Sequence, residues 1–237
     1  EMHKLVDRWG LNGGTAPAPS ENAAPLETVE PSPLPLLLEG RFYAARNADG
    51  DWYLVQGQDV YLPDTDRLAA ILDSGAELWA FDAKPLYRLA LEHGGIGSAL
   101  RFDGKLAAYL LNPSASGYEV HSLAAEYGVH TAFACEAAPD AGVLAGLCDT
   151  LAAALDVMKE LDGTGLLEHI RVIDVEKEYD MSIWYDERYE IKLGGTDELA
   201  YKIRYLCSIL DQLSEFQAGT IDLTQAAQKR ATFQPAA

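Results

Sequence analysis

"AELWAFDAKPLYRLALEHGG" (residues 76–95) decides the fold class. AELWAF reads as a short buried strand, and KPLYRLALEHGG as an amphipathic helix directly after it. Pro85 falls in the first helical turn and Gly94 just past the last, the positions each favours. The next stretch, LRFDGKLAAYLLNP (100–113), repeats the unit: a strand edge runs into a helix that Pro113 closes. Toward the N-terminus, LPLLLEG (34–40), FYAARN (42–47), DWYLVQG (51–57) and DVYLP (59–63) carry strand signals, with NADGD as a turn. PDTDRLAAILDSG reads as a capped helix. Asp64 or Thr65 is its N-cap, Leu68, Ile71 and Leu72 its apolar face, and Gly75 its stop. YEVHSLAAEYG predicts another helix, and AAPDAGVLAGLCDTLAAALDVMKELDGTG a long one. Strands first, then alternating strand and helix, predict an α/β domain: a mixed sheet with helices on its faces.

After about residue 165 the pattern changes. HIRVIDVEK, DMSIWYDERYEIKLGG and GTIDLT alternate apolar and polar residues. Among them, DELAYKIRYLCSILDQLSEFQ (197–217) repeats Leu199, Ile203, Leu206, Ile209, Leu210 and Leu213 three or four apart, one apolar stripe of a helix. Thr196 or Asp197 is its expected cap. A small α+β module follows the α/β domain.

Charge narrows the function. The chain of 237 residues has a formal net charge of −19. Residues 1–155 carry 21 acidic and 9 basic side chains, and residues 156–237 carry 16 and 9, so both parts are acidic. A phosphate backbone needs neutralising Lys and Arg, so weak or no direct nucleic-acid binding is expected. Cys135, Cys148 and Cys207 form no C-x-x-C and read as buried or free thiols. His3, His93, His121, His130 and His169 show no metal-ligand spacing. No uninterrupted apolar run approaches about 18 residues, so neither a membrane span nor a signal peptide is expected. EMHKLVDRWGL (1–11) predicts a short helix, and residues 13–35, with six of the eleven prolines, read as a linker. Beginning at Glu1, the chain reads as a piece of a longer one.

KLVDRWGL, the proline-rich linker, AELWAFDAKPLYRLALEHGG, LRFDGKLAAYLLNPSASGYEVHSLAAEYG and EAAPDAGVLAGLCDTL together resemble the 3′–5′ exonuclease-type domain of bacterial DNA polymerase I, ribonuclease H-like in fold. The resemblance implies a two-metal phosphodiesterase, whose paired Mg²⁺ ions about 4 Å apart need several carboxylates. The family places an Asp-x-Glu pair on the first strand, an Asp in the helix after the WAF-like strand, and a Tyr-x-x-x-Asp near the last helix. Here PLPLLLEGRFYAARN holds no Asp-x-Glu. The nearest acidic pairs, Asp49/Asp51 and Asp64/Asp66, fall where turn and capping roles account for them. Leu86 stands where the second Asp belongs, and Asp82, one turn earlier, reads as a cap. Glu136 takes the Tyr position, and only Asp140 matches. Asp103 fits a position read as structural. The resemblance is therefore to the inactive branch of that family.

The polymerase-type domain that this resemblance implies as an intramolecular partner does not follow. Instead WYDERYEIKLGGTDELAYKIRYL, GTIDLT and FQP resemble the C-terminal β-domain of FtsQ/DivIB-type cell-division proteins. That resemblance implies a domain outside the cytoplasmic membrane that adds a partner's strand to its sheet edge, with ATFQP as the candidate edge. Trp184, Tyr185, Tyr189, Tyr201 and Tyr205 read as packing residues or half-exposed strand and helix faces rather than a ligand cage.

The expectations are these. The fold is α/β, a ribonuclease H-like mixed sheet with flanking helices, followed by a small α+β module. The divisions are 1–35, helix and linker; 36–155, exonuclease-like; and 156–237, FtsQ-like, joined within VLAGLCDTLAAALDVMKELDGTGLL. The function is a degenerate, non-catalytic scaffold, cytoplasmic for residues 1–155, with no catalytic residue, metal or cofactor; Asp140 is vestigial and Leu86 marks a lost position. The alternatives are a module binding divisome proteins through residues 170–237 and, third, a metal-dependent nuclease with a fresh acidic cluster.

Overall fold

The computed structural model describes residues 26–36, 38–175, 177, 179–214 and 216–236. The helix expected over residues 1–11 and most of the linker lie outside the described residues. The chain is mixed α/β, with two five-stranded mixed sheets and flanking helices.

The first sheet comprises β1 (Arg41–Arg46), β2 (Trp52–Gln56), β3 (Asp59–Tyr61), β4 (Glu77–Ala80) and β5 (Leu100–Asp103), in the order β3-β2-β1-β4-β5. β1 to β3 form an antiparallel meander, and β4 and β5 run parallel to β1. Parallel neighbours need crossovers. Helix α1 (Thr65–Leu72) precedes β4, and α2 (Lys84–Glu92) links β4 to β5. Strand alternation sends Phe42, Ala44, Leu54, Leu78 and Ala80 to one face, where α1 and α2 cover them. Tyr43, Ala45, Tyr53 and Val55 go to the other, under α3 (Gly104–Leu111), α4 (Val120–Glu126) and α5 (Ala141–Leu161).

LPLLLEG forms no strand: its described residues are coil, and Leu36 is 96% exposed. Pro33 and Pro35 remove backbone donors from that segment, so no ladder closes on it. Part of the expected linker is held instead. Val29 donates its N–H to the Ala134 carbonyl (2.8 Å), and Ser32 donates its own to that of Val60 (2.8 Å).

The second sheet has the order β10-β9-β8-β7-β6: β6 (Ile170–Asp174), β7 (Met181–Tyr185), β8 (Tyr189–Gly194), β9 (Gly219–Asp222) and β10 (Thr232–Pro235). All neighbours are antiparallel except β8 and β9, between which α6 (Leu199–Leu210) crosses over. Met181, Ile183, Ile191, Leu193 and Ile221 face a core shared with α6 and the end of α5. Residues on the opposite face, including Ser182, Glu190, Lys192 and Thr220, are only half-buried.

α6 is not capped by Thr196 or Asp197. Its N-cap is Glu198, left-handed at φ 51°, with no side-chain cap bond. Lys202 closes the turn from inside: 1% exposed, its Nζ donates to the Gly195 carbonyl (2.9 Å) and lies 3.5 Å from Asp197 Oδ2. A lysine thus joins the buried stripe of Leu199, Ile203 and Leu206, because its ammonium donates to a loop carbonyl and lies beside Asp197, so the charge is not buried unpaired.

The 21-residue α5 runs straight through the expected boundary at 155/156. Val143, Leu144, Leu147 and Leu151 belong to the first core; Ala153, Ala154, Val157 and Leu161 belong to the second. Gly142 allows its first turn to pass close to the Phe133 carbonyl, where a Cβ would collide. Among the described residues α5 is the one helix long and apolar enough to cross a membrane by length and composition. Its best window has mean hydropathy 1.6 and is 56% buried, here between two cores.

Because both cores share α5, Leu151→Ala is expected to lower stability by about 2–5 kcal/mol. Trp52 and Trp79 report the first half and Trp184 the second; denaturant transitions followed through each are expected to coincide in the parent and to move together in the variant.

The α2–β5 loop carries a pH-dependent tie. Asp73 accepts the N–H groups of Ile96, Gly97 and Ser98 at 3.0, 3.1 and 3.2 Å. Those amides hold its carboxyl below the usual range. A depressed folded-state pKa gives stability that is present above about pH 3.9 and lost as pH falls through the folded value. Asp73→Asn is expected to flatten that acid limb, read from thermal melts between pH 5 and 2.

Candidate functional site

The positions singled out by the exonuclease resemblance do not meet. Leu86 and Ala90, one turn apart on α2, point into the core, where Leu86 is fully buried with Phe42, Leu78 and Ala83. Asp82 caps nothing. The N-cap of α2 is Ala83, and the Asp82 carboxylate lies 3.3 Å from Lys105 Nζ. Asp103 has the structural role expected of it: it caps α3 through the Leu106 amide (3.0 Å) and accepts the Ala83 amide (3.0 Å), joining two helix starts. Asp64 caps α1 through the Arg67 amide (2.7 Å), whereas Asp66 is exposed. Asp49 and Asp51 lie in the β1–β2 turn, where the Asp51 amide donates to Asn47 Oδ1 (2.8 Å).

Asp140 stands at the start of α5 without capping it. Its carboxylate lies 3.0 Å from His121 Nε2, and Glu136 nearby in sequence is exposed. Among the described residues no three His, Cys, Asp or Glu side chains gather where they could hold a metal ion.

The structure does assemble a polar network that residue spacing alone did not reveal. Arg41 and Tyr43 share one face of β1, and Glu77 and Trp79 share the matching face of β4. Arg41 Nε donates to Glu77 Oε1 (2.9 Å) and its Nη1 to Asp149 Oδ1 (3.2 Å), while its guanidinium lies 3.7 Å from the centre of the Trp79 ring. The Tyr43 hydroxyl donates to Asp149 Oδ1 (2.8 Å), and Trp79 Nε1 to Glu77 Oε1 (2.8 Å). The bond from Arg41 holds Glu77 below the usual carboxylate range. Burial, opposed by Arg41 and aided by Asp149, pushes the Tyr43 hydroxyl up to about 12. The network fastens α5 to the sheet. It offers no nucleophile, since its acids are bonded and its tyrosine stays protonated. The one signal for it in sequence was the i, i+2 repeat on two strands; Asp149, more than 100 residues away, carried none.

Tyr53 and Cys148 lie deeper. Burial raises both groups, and Asp140 adds to the shift at Tyr53. A buried thiol of raised pKa is inert. The Tyr53 hydroxyl has no hydrogen-bond partner among the described residues.

In the second sheet the aromatic residues pack as expected. Tyr189 is buried, with its ring 6.4 Å from Tyr185 and 6.2 Å from Phe233; Tyr201 and Tyr205 stack at 6.0 Å. β10 is an edge strand. Ala236 donates its N–H inward to the Ala218 carbonyl (2.8 Å), so alternation turns the backbone polar groups of Gln234 and Thr232 inward and those of Phe233 and Pro235 outward. Pro35 and Pro33 interrupt a strand, but Pro235 sits where no donor is needed. Along β10 the outward N–H is that of Phe233. No family model, no curated protein and no solved structure matches this chain.

Removing the unpartnered hydroxyl with Tyr53→Phe is expected to leave stability unchanged or raise it by up to about 1 kcal/mol, measured by denaturant unfolding. A loss above about 2 kcal/mol would mean that the hydroxyl is hydrogen-bonded in solution.

Proposed function

We propose that residues 36–155 form a non-catalytic scaffold of the exonuclease-like, ribonuclease H-like type, the inactive branch of the domain found beside bacterial DNA polymerase I. An antiparallel meander followed by two parallel strands, with helices on both faces, agrees with such a fold. The observation that carries the reading is Leu86. Where the resemblance calls for a metal-binding carboxylate, the chain has a fully buried leucine that belongs to an apolar cluster. Asp140, the one matching acid, is engaged with His121, and its local neighbours are a buried tyrosine and the start of a helix. The acidic balance of residues 1–155 also opposes a polyanionic substrate.

Two measurements test it. Incubated with single-stranded DNA and Mg²⁺ or Mn²⁺, the protein is expected to release no nucleotides, and neither ion is expected to raise the melting temperature by linkage. Digestion that Asp140→Ala abolishes would overturn the proposal. Leu86→Asp, which restores the family residue, is expected to destabilise by about 3–5 kcal/mol and to create no activity, because it buries a lone carboxylate.

A second reading is favoured by the register of β10. The FtsQ-like resemblance implies edge-strand pairing, and β10 has an outward-facing Phe233 amide at an edge that no other strand among the described residues pairs with. In this reading residues 170–237 bind an extended segment of a divisome partner, ending at Pro235. Phe233→Pro removes the outward donor and is expected to weaken capture of such a partner at least about tenfold, against a smaller effect of Phe233→Leu. Equal loss in both variants would assign the effect to the side chain and sink strand pairing.

A further inference from the structure

A groove of about 710 Å³ lies where the two halves meet, lined by Trp79, Phe102, Leu155, Asp156, Lys159 and Leu167 among others. Its size suits a small molecule. One wall comes from β4 and β5: the rings of Trp79 and Phe102 stand 4.5 Å apart. α5 supplies the facing wall, and Leu167, in the turn before β6, contributes from the second half. The wall is pre-set. Trp79 is held through its Nε1 by Glu77 and across its ring by Arg41, and Arg41 is itself tied to Asp149. A ligand meeting this wall need not order it first.

The charges select the ligand. Asp156 and Lys159 on the last turns of α5 and Asp162 at its C-cap edge the groove, and among the described residues none of the three has an ion-pair partner. Two free acids face one free base, in a chain of net charge −19. A phosphorylated or carboxylated ligand would find one cation and a repelling field. An ammonium finds a groove edge where two carboxylates outnumber one ammonium, beside an apolar wall that its organic body covers. We propose that this groove binds an organic cation: a compact apolar or aromatic body seated against Trp79 and Phe102, with an ammonium directed at Asp156 and Asp162. The assignment rests on neither reading given above.

The test uses the full chain, with phenethylammonium as the probe and 3-phenylpropanoate as its anionic match, both titrated by calorimetry at one ionic strength. Saturable binding of one phenethylammonium per chain is expected, at least about tenfold tighter than the anion. Ala152→Phe fills the groove from α5 and is expected to abolish binding with the melting temperature held. Should that variant fail to fold, the exposed pair Asp156→Lys with Asp162→Lys serves instead, and is expected to cancel the preference for the cation. Equal affinity for the two probes would overturn the proposal. So would phenethylammonium binding that survives a folded Ala152→Phe or the charge reversal, since it would then be diffuse attraction to an acidic protein.

Discussion

Two cores depend on one helix. α5 spends its first turns against a sheet whose strands all lie before residue 104, and its last turns against a sheet that begins at Ile170. Leu151 and Ala153 are two residues apart and serve different cores. A helix of 21 residues is about 30 Å long, enough to span one small core and enter another. Its buried positions pass from one partner to the other without a break in periodicity. Asp149 pins it sideways to Arg41 and Tyr43, a polar contact that fixes which way the helix faces where hydrophobic packing alone is indifferent. The groove between the halves is a consequence: two packed units meeting along one rod leave a furrow beside it.

The acids sort by the same logic. The chain holds many carboxylates, yet those that do structural work are spread out, each against a separate donor: Asp64 and Asp103 at helix starts, Asp73 under a loop, Asp149 beside Arg41. Convergent carboxylates repel one another and need bound cations to hold them together. Leu86 lies in the core instead, where its methyl groups gain what a carboxylate would lose.

Much of this was legible in the residues. Strands in FYAARN, DWYLVQG and AELWAF, the capped helix from Asp64, Pro85 and Gly94 around the second helix, and the β10 edge all appear near the expected places, because each signal is local: alternation, a cap, a fixed φ. LPLLLEG misled because its leucines were weighed and its prolines were not. The start of α6 at Glu198 carries no local signal, because that residue is left-handed and makes no side-chain cap bond.

Taken alone, the sequence determined most of the secondary elements and the acidic balance of both halves. It could do so because propensity, periodicity and composition are properties of neighbours along the chain. The tertiary structure alone decided that α5 belongs to both halves, that Asp149 reaches Arg41, that Leu86 is sealed from solvent, and that the Phe233 N–H points outward. Each of these joins residues remote in sequence, and no local pattern encodes which surfaces the buried apolar area will bring together.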